Sequence, residues 1–312
     1  LALVIYWLGA ALVNQIPLTD PMSRLTMFSN VLVFSTYATY IIMSFMMLVM
    51  IFMMLPQAEV SAERINEVLD RKASITEGSV REGSERGSVE FRDVCFRYPG
   101  ASEEDLSHIS FQVKQGETLA IIGATGSGKS TLVSLIPRFY DATSGQVLVD
   151  GVDVKDYAFD ALYDKLGYVT QKAVLFSGSI RDNVFFGESA ADADDGALSS
   201  AIELSQAKEF VDKLPEGTEH HIAQLGRNVS GGQKQRLSIA RALARKPEIL
   251  VFDDSFSALD YRTDAKLREG LAKQLHDITK IIVAQRISTI RHADKIIVLD
   301  RGESVGMGTH EE

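Results

Sequence analysis

The residues best suited to chemistry lie in one short stretch. Gly123-Ala124-Thr125-Gly126-Ser127-Gly128-Lys129-Ser130, followed by Thr131, fits the pattern G-x-x-x-x-G-K-[ST]. Glycines at this spacing let backbone N–H groups turn inward around phosphate oxygens. In such a loop the lysine holds the β- and γ-phosphates of ATP and the next hydroxyl ligates Mg2+. Lys129 and Ser130 are placed for those roles. Further on, Ile249-Leu-Val-Phe-Asp253 is an apolar run ending in a carboxylate, with a second carboxylate, Asp254, directly after it. Beside a phosphate loop, an Asp at a strand end joins the Mg2+ shell. Ser230-Gly231-Gly232-Gln233 opens a helical pattern and presents bare N–H groups and a hydroxyl to an anion. Taken alone, the same residues are an ordinary helix N-cap.

These residues need elements to hold them. The strand-like run TLAII precedes the glycine-rich loop, and STLVSLIPRFY follows as a helix, which is the context the motif requires. Other strand-like runs are VEFRDVCFRY, GQVLVDG, EILVFDD, KIIVAQ and KIIVLD; helical patterns fall near residues 129–138, 196–214, 231–245 and 261–276. Runs that are apolar throughout suit strands buried on both faces of an α/β sheet, while the early and late runs alternate and suit an antiparallel flank.

The chain is divided in composition. Residues 1–58 carry two of its 74 charged side chains, Asp20 and Arg24, together with eight of nine Met and the single Trp. Residues 1–16 and 25–55 are uncharged, and the second run exceeds the roughly 20 apolar residues that cross a bilayer. They are expected to be membrane helices in contact with membrane lipid, joined by a turn through Pro17, Asp20 and Pro21. Residues 59–72 continue with helical spacing, with Pro56 marking a kink at the boundary. Residues 73–88, rich in Gly and Ser, are expected to be a linker. Arg64, Arg71 and Lys72 beyond the second run, against Arg24 alone in the opposite loop, orient the body of the chain to the cytosol. The net charge of −10 sits wholly after Gln57 and excludes the basic footprint of nucleic-acid binding. One cysteine, Cys95, excludes a disulfide framework, and the pair His220-His221 is expected in a solvated loop. The chain opens on Leu1 inside an apolar run and is expected to be a fragment.

Together these motifs resemble the ATP-binding cassette (ABC) family, in particular exporter half-transporters whose membrane helices precede the nucleotide-binding domain. The resemblance covers essentially the whole chain. It implies the last two membrane helices over 1–58, a cytosolic extension and linker over 59–88, and over 89–312 an α/β P-loop domain with an antiparallel β flank and a helical subdomain. It also implies a plasma-membrane location. By resemblance, Tyr98 stacks on adenine and Gly123–Thr131 hold phosphate. Gln171 links Mg2+ and the γ-phosphate to the membrane helices. Ser230, Gly231, Gly232 and Gln233 contact ATP held by the opposite subunit, and Ser257–Asp260 cross the dimer interface. Mg2+ is assigned Ser130, Gln171 and Asp253.

Three positions depart from the family pattern. The family has Glu after the strand Asp, where this chain has Asp254. It has a switch His, where this chain has Gln285. Before the signature it has Glu, where this chain has Gln224. Asp is one methylene shorter than Glu, and misplacement by ~1 Å can lower a rate on the order of a hundredfold. Gln cannot carry the charge or proton available to His. The pattern resembles the impaired subunit of a heterodimeric exporter. It implies a weak ATPase whose partner half-transporter keeps the catalytic Glu and switch His, and an exported substrate that these motifs do not name. The same set also fits a regulatory ATP-binding membrane subunit that gates without transport.

Overall fold

The structure, a computed structural model, describes residues 2–187, 194–285 and 290–312. Leu1, counted within the first apolar run, lies outside them. The chain divides into two compact units, Leu1–Ser74 and Ile75–Glu312.

The first unit is a helical hairpin. Helix α1 spans Ala2–Asn14 and α2 spans Pro21–Leu69. Asp20 caps α2 by accepting the Ser23 N–H at 3.1 Å, and Pro21 takes the first turn, where its missing N–H costs nothing. The turn therefore ends four residues earlier than the charge-free run suggests. Gly9 lets the helices meet: a Cβ there would lie 2.4 Å from Val31 Cγ1. α2 is one 49-residue helix that includes Pro56, and it is long and apolar enough to cross a membrane.

The second unit begins earlier than the composition suggests. Residues 78–88, expected as a linker, lie against it. Gly78, Ser79 and Val80 donate to the carbonyls of Tyr157 and Asp156, and Ser84 donates to Asp150. Small residues make this possible, since a Cβ at Gly78 or Gly83 would collide with Asp156 or Asp150.

Thereafter the order is β1 (Val89–Phe96), β2 (Leu106–Val113), β3 (Thr118–Gly123), α3 (Lys129–Ser134), β4 (Ser144–Val149), β5 (Val152–Asp153), α4 (Phe159–Lys165) and β6 (Leu166–Val169). Next come β7 (Gly178–Ser179), α5 (Ile180–Val184), α6 (Asp195–Leu204), α7 (Lys208–Val211), β8 (His221–Ile222), α8 (Gly231–Ala244), β9 (Ile249–Asp253), α9 (Tyr261–Gln274), β10 (Thr279–Val283), β11 (Lys295–Asp300) and β12 (Glu303–Gly308). The central sheet runs β12-β11-β3-β10-β9-β6. Its strands are parallel except for the antiparallel edge strand β12. A second, antiparallel sheet runs β2-β1-β4-β5.

Alternation along the central strands divides the interior in two. Ile249, Val251, Ile281 and Val283 face the antiparallel sheet, whereas Leu250, Phe252 and Ile282 face α6, α8 and α9. The helix after the glycine-rich loop is shorter than expected because Pro137 has no N–H to continue it. The pattern over 196–214 is broken at Gln206, which takes a left-handed φ of 59°. The His pair departs from a plain loop, since exposed His221 pairs with Ser179 in the β7–β8 ladder.

A buried ion pair ties the antiparallel sheet to α4. The Asp150 side chain is fully buried and accepts from Lys165 Nζ at 2.7 Å and from the Ser88 N–H at 2.9 Å. Burial pushes its carboxyl up from the ordinary range, while Lys165 pulls it down. Lys165→Met leaves that carboxylate without its cation and should destabilise the unit by on the order of 3 kcal/mol. Thermal unfolding checks this, and Asp150→Asn in the same chain should recover part of the loss. An unchanged melting temperature in Lys165→Met would show that the pair contributes nothing.

Candidate functional site

Parallel pairing gathers the candidate residues at one end of the central sheet. Ile121 of β3 is level with Val283 of β10, Val283 with Asp253 of β9, and Phe252 with Val169 of β6. The glycine-rich loop leaves β3, Asp253 and Asp254 end β9, Gln285 follows β10 and Gln171 follows β6. Ligands of open α/β sheets bind in this position, beyond the carboxyl ends of the strands.

The loop has the shape of an anion cradle. Gly126 and Gly128 take φ of 82° and 95°, which L side chains rarely adopt. A Cβ at Gly126 would meet nothing within 4 Å, so that side of the loop is open, while at Gly128 it would press on Leu106 and the Asp105 carbonyl. Lys129 is buried and its Nζ donates to the carbonyls of Gly123 at 2.9 Å and Ala124 at 2.6 Å. Ala124, Thr125, Gly126 and Ser130 are exposed, and Ser127 is buried. Ser130 Oγ donates to Asp253 Oδ1 at 2.8 Å. Burial pushes the Asp253 carboxyl up, the neighbouring Asp254 charge adds to this, and the Ser130 hydrogen bond opposes it. A buried carboxylate beside a second one, with an exposed hydroxyl at its side, is a donor set that suits a hard divalent cation such as Mg2+.

Tyr98 stands edge-on to Phe96 and Tyr140, and its hydroxyl lies 3.1 Å from Thr131 Oγ1. The ring is thus tethered to the start of α3. Gln171 and Gln285 both donate to Asp254 Oδ2, at 3.2 and 2.7 Å. Asp254 itself is buried with a left-handed φ of 47°.

Ser230–Gln233 open a different element. They form a capping box at the start of α8, with the Ser230 N–H donating to Gln233 Oε1 at 2.8 Å and the Gln233 N–H to Ser230 Oγ at 3.3 Å. A Cβ added at Gly231 would meet nothing within 4 Å, so its surface is open. α8 is tied back to the other group, because Gln235 Nε2 donates to the Thr170 carbonyl beside Gln171 at 3.2 Å.

One residue has no motif to announce it. Tyr168, on β6, lies beside the Asp253 carboxylate, and burial together with that neighbouring charge pushes its phenol well up. The available signal was a hydroxyl-bearing ring inside an apolar strand, three residues before Gln171.

Known proteins share this chain's sequence family and fold. Residues 106–257 match the family model of the ABC transporter, so the chain carries an ATP-binding domain of that family. It is 42% identical to the uncharacterized ABC transporter ATP-binding protein YfiB of Bacillus subtilis, over 99% of this chain and 52% of that protein. It is 44% identical to an ATP-dependent lipid A-core flippase of Xanthomonas campestris, over 81% of this chain and 43% of that protein. Its fold matches a bacterial Atm1-family ABC exporter with ATP bound, with a TM-score of 0.79 and 31% identity over 99% of this chain and 54% of that one. The chain is thus built as that exporter is, a helical segment followed by an ABC domain with a mixed sheet. It spans about half the length of the relatives it matches.

Lys129→Ala removes the ammonium from the cradle. Hydrogen bonds to charged groups contribute about 1.5–3 kcal/mol, so ATP affinity should fall roughly ten- to hundredfold. Titration with a fluorescent ATP analogue measures it, and an affinity equal to the parent's would remove Lys129 from the site.

Proposed function

We propose that this chain is the ATP-binding half of an ABC exporter of the cell membrane, with its ABC domain in the cytosol. Residues 1–58 supply the last two membrane helices, residues 59–88 the connection, of which 78–88 pack on the domain that follows, and residues 89–312 the nucleotide-binding domain. ATP sits on Gly123–Thr131 with adenine on Tyr98, and Mg2+ is held by Ser130, Asp253 and Gln171. ATP binding closes this domain on that of a second half-transporter, and hydrolysis reopens the pair and drives substrate across the membrane. The observation that carries the reading is the convergence of the loop, Asp253, Asp254, Gln171 and Gln285 at the ends of four parallel strands.

Within that machine, this chain's own site holds ATP and hydrolyses it slowly. Asp254 falls short of an attacking water by about a bond length, and Gln285 brings no charge or titratable proton. The partner is therefore a different half-transporter, with Glu and His at the matching positions. Ser230–Gln233 complete that partner's active site, as supported by the open surface around Gly231.

Two expected outcomes test this. Gly231→Trp adds bulk where an added Cβ meets no described atom within 4 Å, so this chain's own fold and ATP affinity should hold. The ATPase rate of the pair should nevertheless drop by more than tenfold, and retained activity would contradict the cross-subunit role. Separately, Asp254→Glu with Gln285→His should raise single-turnover phosphate release at this site by more than the product of the two single changes, because groups acting as a unit are not additive. The partner's catalytic Glu is replaced by Gln to lower the background. A double variant as slow as the parent would sink the assignment of the defect to these residues.

A further inference from the structure

Asp254 sits between two exposed glutamines that come from chain positions far apart. A single oxygen, Oδ2, accepts the Nε2–H of Gln285 at 2.7 Å and that of Gln171 at 3.2 Å. Asp254 is itself held firmly. It is buried, its backbone is left-handed, and its carbonyl accepts from Ser257 Oγ at 2.8 Å. An ionised carboxylate is an acceptor only. Both amide nitrogens must therefore face it, and both Oε1 atoms are turned away.

We propose that Asp254 is a positioning residue for metal and nucleotide retention: it fixes the amide orientation of Gln171, with Gln285 holding it in place, so that Gln171 Oε1 is presented to Mg2+. The proposal rests on the reading that this site binds ATP–Mg2+ and hydrolyses it slowly, and it specifies how the retention is built. Two donors already occupy Oδ2, so that oxygen is engaged in holding amides. The two departures from the family pattern then form a matched pair. A carboxylate one methylene longer would carry its oxygens past the point where the two amides meet. A side chain without an N–H at 285 would leave Oδ2 with Gln171 alone, and the longer of the two bonds would have to hold the buried charge.

The test reads metal and nucleotide apart from hydrolysis. The complex is purified with Lys→Ala in the partner's phosphate loop, so that only this site is loaded. Mn2+ affinity in the presence of ATP is followed by electron paramagnetic resonance, loss of radiolabelled ATP is followed after an EDTA chase, and phosphate release is followed in parallel. Gln285→Met keeps the length of the side chain and removes its donor, at an exposed position where folding is not at risk. Loss of one hydrogen bond to a charged group should weaken Mn2+ binding and speed ATP loss by roughly tenfold, with no gain in phosphate release. Gln285→His, which keeps an N–H, should fall between this variant and the parent. Unchanged Mn2+ affinity and ATP retention in Gln285→Met would overturn the proposal. So would faster phosphate release, which would mean that Asp254 is a base held in check. Fast phosphate release by the parent chain would instead overturn the slow-site reading, and the Mn2+ measurement does not depend on that outcome.

Discussion

The register in which β3, β10, β9 and β6 pair is the constraint on which the rest depends. Each pair is parallel and in step, so the four strands end together and release their loops at one edge. A slip of one residue would exchange the faces of a strand. Val251 and Phe252 would swap cores, and Asp253 would no longer meet Ser130. The register is secured by burial on both sides, because every residue of β9 and β10 is buried. Two separate apolar clusters, one under the antiparallel sheet and one under α6, α8 and α9, each require its own set of alternate residues.

Charge is concentrated where that constraint places it. Asp253 and Asp254 are adjacent and both buried, an arrangement that costs free energy unless each is compensated. Ser130 donates to Asp253, with the Tyr168 ring close by. Gln171 and Gln285 serve Asp254. The two carboxylates thus have separate hydrogen-bond partners. Asp253 keeps an exposed hydroxyl beside it, which suits a shared cation. Asp254 is enclosed by amides, which suits a structural role more than exchange with water.

Much of this was legible in the residues themselves. The loop Gly123–Ser130 carries its own signal, because cradling phosphate demands glycine, lysine and hydroxyl at fixed spacing, and the strand before it and the helix after it follow from local pattern. The apolar run of α2 is legible for a similar reason, since a bilayer demands length and absence of charge and nothing subtler. The strand ending in Asp253 could be read as a strand. The metal-ligand role proposed for Asp253 was legible only through the company it keeps in the family pattern.

Other features were decided by tertiary structure alone. The segment 78–88 has the composition of a linker, yet its backbone donors find carbonyls at Asp150, Asp156 and Tyr157, some 65–80 residues further along the chain. Gly and Ser signal flexibility in an isolated stretch and close approach in a packed one, and only the packing tells which. Tyr168 has an ordinary strand residue's sequence context, and its contact with Asp253 exists because β6 pairs with β9. The meeting of Gln171, Asp254 and Gln285 is likewise invisible in a sequence where they stand 83 and 31 residues apart. Sequence determines which groups are available and which local shapes they favour. The pairing of strands distant in the chain decides which of those groups share a hydrogen bond, because that distance is closed only when the sheet forms.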